Sequence, residues 1–416
     1  TGSIGASILP TRRQANLEST PPAQFEDDLV AGDNRAIEQP TLASMHTLFL
    51  NEHNRIADQL RPRLSHFISG KNSIEQDEII YQEARKLVGA QMQNIVYNEF
   101  LPVVLGQEKL TKYKLQLSTE SKYNDKIDAS ILNEFATVAF RFGHSLIAGI
   151  FNGNGGRELK MSFFDRIPEF VVGLPPNDDG IAWQSELEEC ARQRSPRFDV
   201  SLTEDVTNFL FSNTRGAASN FGDDLPARNI QRARDHGLPA YNEFRVKCGL
   251  SSLESFETRP VEIAEGPWNL LRNAYKDNVA HIDAFSGGLA ETAPSDGVVG
   301  PTFACIIGQQ FHDLKFGDRF FFTNDNGFGL KVNTRETIGK RRLGDIMCDN
   351  TNIFTLPRNV MKEEDRNDNP RQACSSRNAL DFDAIVREIN EITKPGIEAL
   401  GPGPRPGTII LYYYIK

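Results

Sequence analysis

The stretch FATVAFRFGHSLI, residues Phe135 to Ile147, is apolar except for Arg141, His144 and Ser145, and Gly143 stands directly before the histidine. Helical residues three apart share a face, so Arg141 and His144 project together. The glycine leaves room for a flat group to approach the backbone. A planar tetrapyrrole over this face would take His144 as axial ligand and bring a propionate to Arg141, while the second imidazole nitrogen is fixed by an acceptor. A hydrogen-bonded core histidine satisfies the same pattern. In AGDNRAIEQP, residues 31–40, Arg35 and Glu38 lie three apart just before a helix. An arginine can polarise a bound peroxide and stabilise charge on the departing oxygen, and a nearby carboxylate can be esterified to a cofactor. A surface ion pair is the plainer account. In DLPARNIQRARDHGLP, residues 224–239, Asn229 can accept from an imidazole and Arg232 can pair with a propionate. A solvated charged face has the same composition.

Helices must position these groups. Thr41 after Pro40 reads as the N-cap of a helix to about Leu60, with Leu42, Met45, Leu48, Phe49 and Ile56 on one stripe. A second helix is predicted over about Glu78–Phe100 and closed by Pro102, and a third over about Ala129–Ile150, bounded by NGNGG. Ser201 and Glu204 form a capping-box pattern. The helix holding Asn229 ends at Gly237, with Pro239 beyond. RFFFTN, residues 319–324, is the best strand signal, and a last helix covers about Phe382–Thr393. The fold class is mainly α with little β structure.

At 416 residues, 39% hydrophobic and 25% charged, the chain has the composition of a soluble globular protein. Its net charge of −10 is spread in mixed sign with no Lys/Arg stripe, which argues against nucleic acid as a partner. No run approaches the ~20 apolar residues of a membrane span. The five cysteines form no CxxC zinc pattern, and their odd number leaves at least one thiol unpaired within the chain.

Taken together, the segments LASMHTLFLNEHNRIADQL, YQEARKLVGAQMQNIVYNEFLPVVLG, FRFGHSLI, ARNIQRARDHGLPAYNEFRVKCGL and GPTFACIIGQQF resemble the animal haem peroxidase family, in the family's order from about residue 28 to 376. The resemblance implies haem b as cofactor and hydrogen peroxide as oxidant, with a halide, pseudohalide or phenol as donor. It implies His144 as proximal iron ligand, Asn229 as the acceptor holding its imidazole, and Arg141 and Arg232 as propionate contacts. By the same resemblance Arg35 is the distal catalytic arginine, Glu38 the carboxylate esterified to haem, and Cys248–Cys305 and Cys348–Cys374 are disulfides. Disulfides imply an oxidising, extracellular or secretory-lumen setting. Gln39 stands where the chloride-oxidising family member has a haem-linked methionine, which disfavours chloride.

The family's GQxxDHD-like element, with the distal histidine and a calcium ligand, precedes the segment matching Arg35 and is not seen in this sequence, nor is the calcium loop. The expectation is an irregular segment 1–27, a proximal, heavy-chain-like domain 28–394 and a Gly/Pro linker with apolar tail 395–416. Such a chain would bind haem poorly without an N-terminal partner chain. GQQFHD, Gly308–Asp313, imitates the distal element, but His312, like His46, His53 and His236, reads as a packing residue. Two alternatives are carried: a non-catalytic adhesion or matrix module, and a fatty-acid haem dioxygenase or peroxygenase.

Overall fold

The computed structural model describes Ala36 and residues 40–117, 121–153, 157–160, 182–211, 222–324 and 329–392. Arg35, Glu38 and Gln39, the segment 1–27 and the tail 395–416 lie outside these residues. Helix α1 (Pro40–Arg63) starts on a proline, which has no N–H to leave unpaired at that position. Thr41, expected as its cap, therefore sits inside the first turn. Leu42, Leu48, Phe49, Ile56 and Leu60 form its buried stripe.

Helix α2 (Ser73–Ile95) starts earlier than its apolar period suggests, because Asn72 and Glu75 build a capping box: Glu75 N donates to Asn72 Oδ1 at 3.0 Å and Asn72 N to Glu75 Oε2 at 3.1 Å. It continues through a π turn (Val96–Phe100) into α3 (Leu101–Lys112). Pro102 does not close the helix as expected. The π turn moves the hydrogen-bond ladder by one residue beside the proline that supplies no donor.

The helix expected over Ala129–Ile150 is broken. Helix α4 (Asn133–Thr137) ends at Val138, whose φ of −129° and ψ of −74° are not helical, and a 3₁₀ helix (Ala139–Leu146) follows. Two β-branched residues, Thr137 and Val138, stand at the break. The 3₁₀ form eclipses residues three apart, so Arg141 and His144 still share a face. Ile150 begins strand β1 (Ile150–Gly153), antiparallel to β2 (Arg157–Lys160).

Helix α5 (Ala182–Cys190) packs on α1. The capping box expected at Ser201 is absent: a single helical turn runs from Glu204 to Thr207 behind Thr203. Helix α6 (Leu225–Asp235) is capped by Asp224, whose Oδ1 accepts from Ala227 N at 2.9 Å, and chain reversal follows at Gly237 with φ +66°. Beyond it come α7 (Tyr241–Lys247), α8 (Glu265–Tyr275), α9 (Ala284–Ala290), α10 (Pro301–Gly317), α11 (Val332–Gly339), α12 (Leu343–Asn350) and α13 (Phe382–Ile392). RFFFTN is not a strand. Asp318 Oδ1 accepts from Phe320 N at 2.9 Å, an Asx turn that curls the chain and buries Phe321 and Phe322. The other short ladder joins β3 (Thr355–Pro357) to β4 (Arg371–Ala373).

The main core runs from α1 and α2 to α10, α12 and α13. A buried ion cluster crosses it. Glu52 on α1 accepts from Arg55 Nε at 2.8 Å, Gln91 Nε2 at 2.9 Å and Asn350 Nδ2 at 2.8 Å. Burial opposes its ionisation, but Arg55, Arg341 and Asn350 outweigh burial and hold the carboxyl below its usual range.

Two other acids have the reverse balance. Glu99 in the π turn and Glu186 on α5 are pushed up to about 7, chiefly by burial, with the Glu189 charge adding at Glu186. Each has one carboxyl oxygen without a hydrogen-bond partner. The unfolded acids ionise near 4.5, so the folded chain binds more protons between about 4.5 and 7. Their stabilisation is full below that window and is lost as pH rises through 7. The expected loss is on the order of 2–3 kcal/mol per group. Urea midpoints at the two ends of the window should show it, and Glu99→Gln with Glu186→Gln should flatten it; an unchanged slope in the double variant would refute the assignment.

Candidate functional site

The 3₁₀ helix and α6 meet at His144 and Asn229. Asn229 Nδ2 lies 2.7 Å from His144 Nδ1, and Asn229 Oδ1 accepts from Arg141 Nη1 at 2.8 Å. Arg141 Nε donates to Ala136 O at 3.1 Å, across the break at Val138. Asn229 is fully buried, at 0% exposure. The direction of the amide differs from the sequence expectation. Arg141 can only donate, so it claims the amide oxygen and turns the amide nitrogen towards the imidazole. His144 Nδ1 then accepts, and Nε2 carries the proton in the free chain.

Burial, with the Arg141 charge adding, pushes the His144 imidazole down to about 3. The ring is therefore neutral at physiological pH. His144 is nevertheless only partly buried as a residue, so its surroundings enclose it without filling all the space beside it. A Cβ built on Gly143 would meet nothing within 4 Å. Open space thus lies against the backbone next to a neutral imidazole, and this donor set fits a haem iron and a flat macrocycle.

Arg232 is not drawn into this contact. It lies one turn beyond Asn229 on α6, exposed, with Nη1 3.4 Å from Asp235 Oδ2. Arg35 and Glu38 are outside the described residues; Ala36 between them is buried at 2% exposure. His312 pairs with Asp313 at 3.0 Å and packs on Phe316. His236 bonds Asn133 Oδ1 at 2.8 Å, and His53 lies against Tyr81.

Sequence reasoning missed the aromatic brace behind the site. Phe135 stacks on Phe140 at 4.5 Å, and Phe100 of the π turn lies 6.2 Å from Phe140 and 6.5 Å from Phe142. Only the density of Phe in residues 135–142 signals it. Cys248 pairs with Cys305 and Cys348 with Cys374, at Cα separations of 5.9 and 5.3 Å. Cys190 is free and exposed. Among the described residues no His/Cys/Asp/Glu group is arranged to hold a metal ion, and no helix is long and apolar enough to cross a membrane.

The profile described as "Animal haem peroxidase" matches residues 2–361. Human myeloperoxidase is 36% identical over 345 residues, covering 79% of this chain and 42% of that protein. Mouse thyroid peroxidase is 34% identical over 373 residues, covering 85% of this chain and 37% of that protein. Among solved structures, peroxidase A from Dictyostelium discoideum aligns with a TM-score of 0.62 at 26% identity, over 88% of this chain and 63% of that one. A fatty acid alpha-dioxygenase from Oryza sativa aligns with a TM-score of 0.55 at 16% identity, over 83% of this chain and 62% of that one, a likeness of fold alone. The chain thus spans less than half the length of these curated relatives. With the profile matched over most of its length and the helical fold shared, the chain belongs to the animal haem peroxidase family.

Proposed function

We propose that this chain supplies the proximal half of a haem peroxidase that oxidises a halide, pseudohalide or phenol at the expense of hydrogen peroxide. The single observation that carries this reading is the His144–Asn229–Arg141 contact beside the open backbone of Gly143. His144 would hold the iron of haem b through Nε2, its single proton passing to Nδ1, where Asn229 Oδ1, with a second lone pair beyond the one Arg141 uses, would turn to accept it. Asn229 orients the ring, and Arg141 locks Asn229. Arg232, exposed and only loosely paired with Asp235, is free to swing to a propionate. Haem, when bound, supplies the redox centre at which peroxide is reduced.

Arg35 is assigned to stabilising charge on the departing peroxide oxygen, and Glu38 to an ester with the macrocycle. Gln39 disfavours chloride as the donor. Calcium belongs to the family's preceding loop and is assigned to no residue here. The two disulfides support an extracellular or secretory-lumen setting. The dioxygenase alternative rests on fold likeness, and Glu38 counts against it.

The test is a haemin titration of the chain, alone and with a family N-terminal segment carrying the distal histidine, followed by peroxide and guaiacol. The expected result is weak haemin binding by the chain alone, tighter binding with the segment, and turnover only in the combination. No Soret change in either sample would overturn the reading.

A further inference from the structure

The Cys348–Cys374 bond takes no part in the proposed reaction, yet its surroundings lead to the helix that carries His144. Cys374 opens a three-residue 3₁₀ turn that ends at Arg377, whose N–H donates to Cys374 O at 3.2 Å. The bond therefore sets where the Arg377 side chain begins. That side chain is 4% exposed. Its Nη2 donates to Leu356 O at 2.8 Å and Pro357 O at 3.0 Å on β3, and its Nη1 lies 3.9 Å from Asp345 Oδ1. It crosses α12 at Gly344, where a Cβ would stand 2.5 Å from Nη1.

On the other side of the α12 N-terminus, Leu343 N donates to Glu99 Oε2 at 2.7 Å. Glu99 and Asp345 are 2% and 1% exposed, and both feel the Arg377 charge. Without Arg377, Glu99 keeps only Arg342 as a cation and Asp345 keeps Arg341, while the two carboxyls still oppose each other. Buried carboxyls that lose a countercharge destabilise the elements holding them. Glu99 is the neighbour of Phe100, the ring that braces Phe140 and Phe142 two residues before His144.

We propose that the Cys348–Cys374 bond is a redox latch: its reduction releases Arg377 from the Asp345–Glu99 cluster and loosens the π turn against the helix that carries His144. The reductant is a dithiol. It gives two electrons and two protons, the S–S bond breaks, Cys348 and Cys374 become thiols, and the dithiol closes to its own disulfide. This inference does not depend on haem.

The experiment is amide hydrogen exchange by mass spectrometry on the full chain, oxidised and after mild dithiothreitol treatment, with C348A/C374A, C248A/C305A and Arg377→Met beside it. Reduction, C348A/C374A and Arg377→Met should each raise exchange about tenfold in residues 343–346, 96–101 and 139–146, reversing on reoxidation in the native chain. C248A/C305A should leave those segments protected. A rise confined to residues 354–378, a rise across the whole chain, or the same rise in C248A/C305A would each overturn the latch. Should a variant fail to fold, reversible reduction of the native chain decides alone.

Discussion

Replacing His144 with alanine is expected to reduce the affinity for haemin more than the roughly 10–100-fold that loss of an outer-shell partner costs. The burial of His144 is what makes this effect large. An imidazole held neutral, with its protonation pushed down to about 3, needs only to move its single proton from Nε2 to Nδ1 to offer Nε2 to the iron at physiological pH. Among the described residues its one hydrogen bond is to Nδ1, so Nε2 is left for the iron. Asn229→Leu keeps the ligand and removes its orientation, so its loss should fall within the 10–100-fold range. The two variants, titrated with haemin against the unsubstituted chain, should rank in that order, with free imidazole restoring part of the band to His144→Ala. Equal affinity in His144→Ala and the parent chain would mean that the macrocycle is held elsewhere.

Arg341→Met is expected to cost about 3–5 kcal/mol of stability, the usual result of removing one member of a buried charge cluster. Arg341 is 1% exposed and donates through Nε to Gln91 Oε1 at 3.0 Å and through Nη2 to Asp349 Oδ2 at 2.7 Å; its Nη1 donates to Asn378 O. Its Nη2 also lies 3.6 Å from Glu52 Oε1. Methionine fills much of the volume but leaves Glu52 with Arg55 as its one close cation and strands the Asn378 carbonyl. Adding Glu52→Gln should recover part of the loss, because the buried charge is then gone. Urea unfolding with an unchanged m-value is the measurement. A cost below about 1 kcal/mol would show that water already reaches the cluster.

The contact at His144 was legible in the sequence because its parts are short-range or carried by distinctive segments: a three-residue spacing, a glycine, and an Asn in a helix with clear punctuation. The amide direction was not legible, since it depends on Arg141 reaching Asn229 from 88 positions away. Apolar period located α1 and α2, and terminal punctuation located α6, but local stereochemistry overruled the period elsewhere. The break at Val138 follows a β-branched pair, Pro102 was absorbed by the π turn, and the strand-like RFFFTN was curled by the Asp318 turn. Glu52, Glu99 and Arg341 were invisible as a group, because charged residues in a sequence read as surface until the tertiary fold buries them.

The span of that cluster constrains synthesis. Glu52 and Asn350 are 298 positions apart, and Arg63 of α1 also meets Asp383 of α13 at 3.3 Å. At the usual ~5–20 residues per second of a ribosome, α1 waits roughly 15–60 s before its partners emerge. Throughout that interval Glu52 has at most Arg55 and Gln91, and the face of α1 that meets α12 and α13 stays uncovered. That face of α1 therefore waits far longer than a small domain takes to fold, which makes α1 a natural client of a chaperone and the arrival of α12 and α13 the step that completes the core.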